Sequence, residues 1–305
     1  MEFKTINDFA AYYAVKLLES SSVVSTNDVN QERYKNTLGG ELIQQFFTIT
    51  EPTKVIGTLK NHKSYKWWSY GECISELLNL DPPIMYKYKP EMFGQHYDLL
   101  IDGRMQYQYG NRWNEFNQLV NTYNRLKQNP NSKRCVVPIF MPYDTAPDRA
   151  DTPCTTMYHF IHRDGKLNMT VFMRSWDFFG GAKTYDFVLS SFVLQALCSW
   201  LKLQPGKLSF YANSLHYYNR DREQLQNLVN EVTTFKIPDA ETFDLGNDLT
   251  IQEFYIQLRK VKLIEEYAYS GNLILAKKTQ SELTNELFNK MAETWINKNI
   301  AGDKK

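Results

Sequence analysis

TTMYHFIHRDGKLNMTVFMRSWDFFGGAKTYDF, residues 155–187, alternates apolar and polar side chains on either side of Arg163-Asp164-Gly165-Lys166. Period-two patterning around an Asp-Gly pair predicts two antiparallel strands joined by a tight hairpin. The second strand runs directly into Arg174-Ser175-Trp176-Asp177, then past a glycine pair to Asp186 at the mouth of FVLSSFVLQALCSWLKL (187–203). That segment is apolar nearly all round, which predicts a helix in the middle of the core. Gln204-Pro205-Gly206 ends it, and KLSFYAN (207–213) reads as a further strand.

Outward from this centre, DFAAYYAVKLLE (8–19) has helical spacing with Asn7 or Asp8 as its cap, and LIQQFFTI (42–49) reads as a strand. GECISELLNL (71–80) reads as a buried helix stopped by Asp81-Pro82-Pro83. In NEFNQLVNTYNRLKQ (114–128), Phe116, Leu119, Val120, Tyr123 and Leu126 form one stripe of a helix capped by Asn114. RCVVPIFM (134–141) follows as a strand, and IQEFYIQLRKVKLIEEYAY (251–269) and ELTNELFNKMAETWINK (282–298) read as two tail helices. Helices before and after a hairpin-containing sheet predict an α+β fold with one core: a main domain over 1–248 and a helical C-terminal extension of it over 249–305.

The 305 residues suffice for a large core, and 14 % of them are aromatic, so much of that core is ring packing. A net charge of +1 with interspersed signs gives no broad basic surface for nucleic acid or an anionic membrane, so any phosphate site must be local. The N-terminus, MEFKTINDFAAYYAVKLLESS, lacks the continuous apolar core of a signal segment, and no later run reaches the ~20 apolar residues of a membrane span. Cys73, Cys135, Cys154 and Cys198 have no CxxC spacing, which argues against zinc and disulfides and makes a reducing cytoplasm the expected location. His159 and His162, three apart in a predicted strand, face opposite sides and cannot chelate together; no metal set is expected.

Cys73, Cys135 and Cys198 read as inert core residues. Cys154 is different, because it follows Pro153 at the start of a strand, and a fold that brought Arg174 close would favour its thiolate. Asp186 is either a simple helix cap or a side chain with a partner to read. Lys133-Arg134 can be a solvated pair, Glu76 a helix-surface acid, Tyr109 a core ring, Asp177 a turn residue, His216 a structural histidine, and Arg33 a solvated loop residue.

Together these residues resemble the thymidylate synthases and their pyrimidine nucleotide hydroxymethylase relatives. The likeness rests on Pro153-Cys154, Arg174-Ser175-Trp176-Asp177, Gly181, Asp186 and His216-Tyr217-Tyr218. Upstream it includes Glu76-Leu77-Leu78, Tyr109-Gly110 before Trp113, and Asn129 to Arg134, all in consistent order over residues 70–222. Assigning Asp186 requires one residue more after Arg174 than the family's usual spacing, which would land on Tyr185.

The resemblance implies a one-carbon transferase with a thymidylate-synthase-like mixed sheet. Cys154 would add to carbon 6 of a pyrimidine and so activate carbon 5 toward 5,10-methylenetetrahydrofolate. It implies Arg174, Ser175 and Arg33 as phosphate ligands, with Lys133 and Arg134 reaching across a homodimer with shared sites. His216 and Tyr218 would hold the sugar, Glu76 and Tyr109 would move protons at carbon 5, and Asp177 and Gly181 would meet the folate. Asp186, a carboxyl where uracil readers have Asn, resembles the deoxycytidylate branch, in which water quenches the exocyclic methylene. The expected activity is hydroxymethylation of dCMP or CMP. A thymidylate synthase or dUMP hydroxymethylase is the alternative, and a non-catalytic nucleotide-binding protein the second.

Overall fold

A computed structural model describes residues 1–20, 38–90, 100–101, 104–105, 108–146 and 152–300. Its strands are β1 (Glu2–Phe3), β2 (Leu38–Ile49), β3 (Leu100–Ile101), β4 (Arg104–Met105), β5 (Cys135–Pro138), β6 (Thr155–Arg163), β7 (Lys166–Met173), β8 (Trp176–Asp177) and β9 (Gln204–Tyr218). Its described helices are α1 (Ile6–Glu19), α2 (Lys66–Leu78), α3 (Tyr109–Glu115), α4 (Gln118–Gln128), α5 (Asp186–Leu201), α6 (Arg222–Thr234), α7 (Ile251–Tyr269), α8 (Leu273–Gln280) and α9 (Glu286–Ile300).

The hairpin forms as its pattern predicts. Arg163 pairs with Lys166, and Asp164 and Gly165 both adopt positive φ, 52° and 73°, which a two-residue turn of matching twist demands. Around it lies a mixed sheet in the order β1-β2-β9-β7-β6-β5, with β8 alongside β9. The β7–β9 pair is parallel because α5 crosses over between them, while the hairpin and β2–β9 pairs are antiparallel. The expected α+β class is what the chain adopts.

One sheet face carries Phe47, Phe160, Met169, Val171 and Phe210 into the core beneath α5. Trp176 stacks there on Phe47 (ring centroids 5.7 Å apart, planes 2° apart) and on Phe210 (4.9 Å, 15°). The opposite face leaves Phe46 and Val136 exposed beside half-buried Met157, Ile161, Phe172 and Tyr211. The tail helices add Phe254, Phe288 and Trp295 to the same core, and Phe192 of α5 meets Phe254 at 5.5 Å and Phe288 at 6.1 Å. No described helix is long and apolar enough to cross a membrane.

Several local readings change. The helix read over 114–128 is two helices, because Asn117 turns the chain through φ 51°; Asn114 therefore lies inside α3 rather than capping, and Phe116 leaves the stripe at 54 % exposure. Thr5, not Asn7 or Asp8, caps α1; Asp8 closes the capping box, and Asn7 is spent on Thr58 and the Pro238 carbonyl. The helix read over 71–80 starts earlier, at Lys66, and stops at Asn79 in a left-handed cap (φ 55°). β9 extends five residues beyond its reading because β2 and β8 both pair with it. The strand read over 134–141 spans only Cys135–Pro138, and α6 and α8 appear where no helix was read. Arg33 lies outside the described residues.

Candidate active site

β6 begins and β7 ends at the same end of the sheet, so Cys154 and Arg174 face each other. The Arg174 backbone N–H donates to the Cys154 carbonyl at 2.9 Å. Its guanidinium donates through Nε to the Pro153 carbonyl (3.1 Å) and through Nη2 to the Thr152 carbonyl (2.9 Å). The expected approach of the arginine to the cysteine is thus built into the backbone. Cys154 is half-buried, whereas Cys73, Cys135 and Cys198 are buried. Next to it, the Thr155 N–H donates to the Tyr109 hydroxyl at 3.2 Å, tying α3 to the cysteine strand.

Behind the cysteine stands a wall of carboxyls and phenols. Glu76, on α2, is buried rather than on the helix surface, and it accepts from the Gly110 N–H. Gly110 must be glycine, because a Cβ would collide with the Glu76 backbone carbonyl. Burial pushes the Glu76 carboxyl up to about 8, against the pull of the Gly110 and Tyr109 N–H groups and of Arg112. Arg112 is itself buried, donating through Nη2 to Asp144 (2.9 Å) and through Nη1 to the Ile139 carbonyl (2.9 Å), and so fixes α3 in place. Glu72, one turn before Glu76, is also buried, and its carboxyl is held well above the usual range by burial, then by Glu76 and Asp186.

Asp186 opens α5 and is buried. Burial pushes its carboxyl up to about 7, opposed by the Trp176 indole N–H, which donates to Oδ2 at 2.6 Å. Burial likewise holds the Tyr109, Tyr158 and Tyr185 hydroxyls well above the ordinary phenol range.

A wide turn lies between Arg174 and Asp186. Phe178–Ala182 forms a π turn, whose i→i+5 hydrogen bonding encloses one residue more than an α turn. Three side chains grip it: His62 Nε2 at 3.1 Å from the Phe178 carbonyl, Ser64 Oγ donating to the Lys183 carbonyl at 3.0 Å, and Ser69 Oγ donating to the Thr184 carbonyl. Burial lowers the His62 pKa to about 3, so the ring is neutral and Nε2–H is its donor. Gly181 approaches Asp186 itself, since a Cβ there would fall on Asp186 Oδ2.

The rim is charged and wetter. Half-buried Asp177 caps the π turn, accepting from the Phe179 N–H at 3.0 Å, and lies 3.9 Å from Arg220. It pairs in register with His216 of β9. Ser214 Oγ donates its single proton to Glu41 and lies 3.1 Å from His216 Nδ1, so Nδ1–H donates to Oγ and Nε2 is left as an acceptor. Burial lowers the His216 pKa, which favours that neutral tautomer. Tyr218 meets the His216 ring edge-on (5.3 Å, 82°), and Ser175 is half-buried beside Arg174.

Lys133 and Arg134 do not join this group within one chain. Cys135 pairs with Phe160, which puts them about seven to eight residues along β6 from Cys154, roughly 25 Å away at 3.3 Å per residue. Arg134 instead borders a cleft of about 320 Å³ with Arg125, Phe116, Val136 and Met141. Reading the sequence missed Glu72, Arg112 with Asp144, and the Trp176–Asp186 bond. Only the Glu72/Glu76 spacing on an apolar helix carried a signal.

The thymidylate synthase family model matches residues 28–272. A "Putative thymidylate synthase" of Methanosarcina barkeri is 28 % identical over 196 residues, 58 % of this chain and 89 % of that protein. The deoxyuridylate hydroxymethyltransferase of Bacillus phage SP01 is 29 % identical over 163 residues, 51 % of this chain and 43 % of its own. A thymidylate synthase of Listeria monocytogenes is 30 % identical over 140 residues, 43 % of either chain. The match thus spans less than half the length of the phage and Listeria enzymes.

Proposed function

The chain belongs to the thymidylate synthase family, a family of one-carbon transferases acting on nucleotides; from that premise we propose that it hydroxymethylates carbon 5 of a cytidine monophosphate, deoxy or ribo. The Cys154 thiolate adds to carbon 6, and the resulting carbon 5 nucleophile attacks the one-carbon unit of methylenetetrahydrofolate. Glu76 and Tyr109 relay the carbon 5 proton away as the bond from the one-carbon unit to the folate nitrogen breaks, releasing tetrahydrofolate and leaving an exocyclic methylene. Water then adds to the exocyclic methylene, and Cys154 leaves as thiolate. Arg174 and Ser175 hold the phosphate, joined by Arg33, while His216 Nε2 accepts from a sugar hydroxyl with Tyr218 beside it. Asp177, a partly exposed acceptor at the rim, fits the N–H groups of a pterin, and Gly181 keeps that approach open.

The observation that carries the cytosine reading is the buried Asp186 carboxyl at the start of α5. As an acid it donates to ring N3 and accepts from the 4-amino group, a pairing that needs no second base-reading residue. Uracil retains its own support: the same acid can donate to a uracil carbonyl, and the phage relative is named for deoxyuridylate. Incubation with methylenetetrahydrofolate and dCMP, CMP or dUMP, followed by mass analysis, separates the two. Turnover of dUMP alone would overturn the cytosine assignment. Exchange of the carbon 5 hydrogen into water, lost in Cys154→Ser, distinguishes catalysis from mere nucleotide binding.

The proposal includes a homodimer. The exposed sheet face with Phe46 and Val136 is an apolar surface of the kind that self-association covers, and Arg134 lies at the edge of that face. A second copy docked there would bring Lys133 and Arg134 to its partner's phosphate site.

A further inference from the structure

A carboxyl has two equivalent oxygens, but Asp186 sits where they are made unequal. Oδ2 takes the Trp176 Nε1–H at 2.6 Å, and an indole N–H can only donate. Trp176 cannot turn away: it is 1 % exposed, stacked on Phe47 and Phe210, and 5.1 Å from the Phe187 ring. On the other side, Gly181 leaves room for Oδ2, and a Cβ there would also come within 3.2 Å of Trp176 Cδ1. Three positions therefore define one acceptor oxygen, and any acid proton must reside on Oδ1.

We propose that Trp176 is a specificity-determining positioning residue, whose indole N–H fixes the donor and acceptor pattern that residue 186 presents to the pyrimidine. The inference rests on Asp186 being the group that faces the base. It corrects the simple expectation that Asp186→Asn converts the site to uracil. An amide is not symmetric: with Trp176 in place its oxygen must take the Oδ2 position and its NH₂ the Oδ1 position. Without the indole, the amide can turn over and suit either base.

The test reads the ratio of dissociation constants for dCMP and dUMP by calorimetry at one pH in Trp176→Phe, Asp186→Asn and Asp186→Ala. With Trp176 present the amide keeps its NH₂ at the Oδ1 position and its oxygen at the Oδ2 position, the donor and acceptor pattern of the neutral acid, so Asp186→Asn should move the ratio less than about threefold, and a larger shift overturns the inference. Trp176→Phe, which frees that pattern to turn over, should shift the ratio toward dUMP about tenfold, the discrimination one well-placed pair supplies. A merely structural tryptophan would weaken both nucleotides alike, and a ratio unmoved by Trp176→Phe but changed by Asp186→Ala overturns the inference and leaves the reading of Asp186 standing. A wild-type protein that binds neither nucleotide, or a ratio indifferent to Asp186→Ala, overturns that reading and the inference with it. Gly181→Ala, whose Cβ would crowd both Oδ2 and the edge of the indole, provides a second route if Trp176→Phe does not fold: it should collapse the ratio, and an unchanged ratio would overturn the inference.

Discussion

The two halves of the candidate site are built on opposite principles. Around Asp186, Glu72 and Glu76 the side chains are buried, and the largest influence on each carboxyl is desolvation, which favours the neutral form. Around Asp177, Arg174 and Arg220 the charges are half-buried or exposed, held by backbone carbonyls or by a loose pair at 3.9 Å. On the proposed reading, protons are handled where water is excluded, and a dianion is met where it is not. The contrast separates residues whose loss alters chemistry or pH behaviour from those whose loss alters affinity alone.

The largest effect is expected at Cys154, which lies between the two regions. Cys154→Ser should reduce carbon 5 hydrogen exchange by about a thousandfold or more with nucleotide affinity retained; exchange near the wild-type rate would remove the covalent step.

Next comes the buried wall itself. Asp186 and Glu76 hold their protons up to about 7 and about 8 in the fold, against ordinary values of 3.8 and 4.5. Between those limits the folded chain binds protons that the unfolded chain has lost, so stability falls as pH rises from about 4 to about 8 and is level above. Asp186→Asn should remove its share of that slope and stabilise the protein at pH 8 by about 2–4 kcal/mol. Denaturant titrations at pH 5 and pH 8 measure it, and parallel losses at both pH values would contradict the burial account.

Arg174→Gln belongs to the other half. It should weaken nucleotide monophosphates by about ten- to a hundredfold while leaving the corresponding nucleosides unaffected; equal loss for both would place the arginine away from phosphate. The smallest effect is expected at Arg220, whose pair with Asp177 is partly exposed: Arg220→Ala should change stability by less than about 0.5 kcal/mol. A larger loss on thermal unfolding would mean the rim is tighter than its exposure implies.

What was legible in the sequence was local or repeated. The hairpin could be read because strand alternation and the Asp-Gly turn lie within one window, and α5 because a sixteen-residue segment apolar on nearly every side has few other homes. Cys154 and Arg174 then fell into place, since hairpin register alone sets them opposite each other. The break at Asn117 was not legible, because its left-handed backbone is chosen by how α3 and α4 pack. Nor was Glu72, whose two acidic neighbours come one from its own helix and one from α5. Trp176 read as filler inside a motif, and only the folded core reveals that its N–H has a single acceptor to serve.

The π turn at Phe178–Ala182 works as slack in a rope tied at both ends. Asp177 is anchored in β8 and Asp186 at the head of α5, and the wide turn between them takes up one residue without moving either knot. Distance along the chain and distance across the fold are thereby uncoupled at this point. On the proposed reading, the wide turn lets the spacing from Arg174 differ by one residue while Asp186 keeps its place at the head of α5.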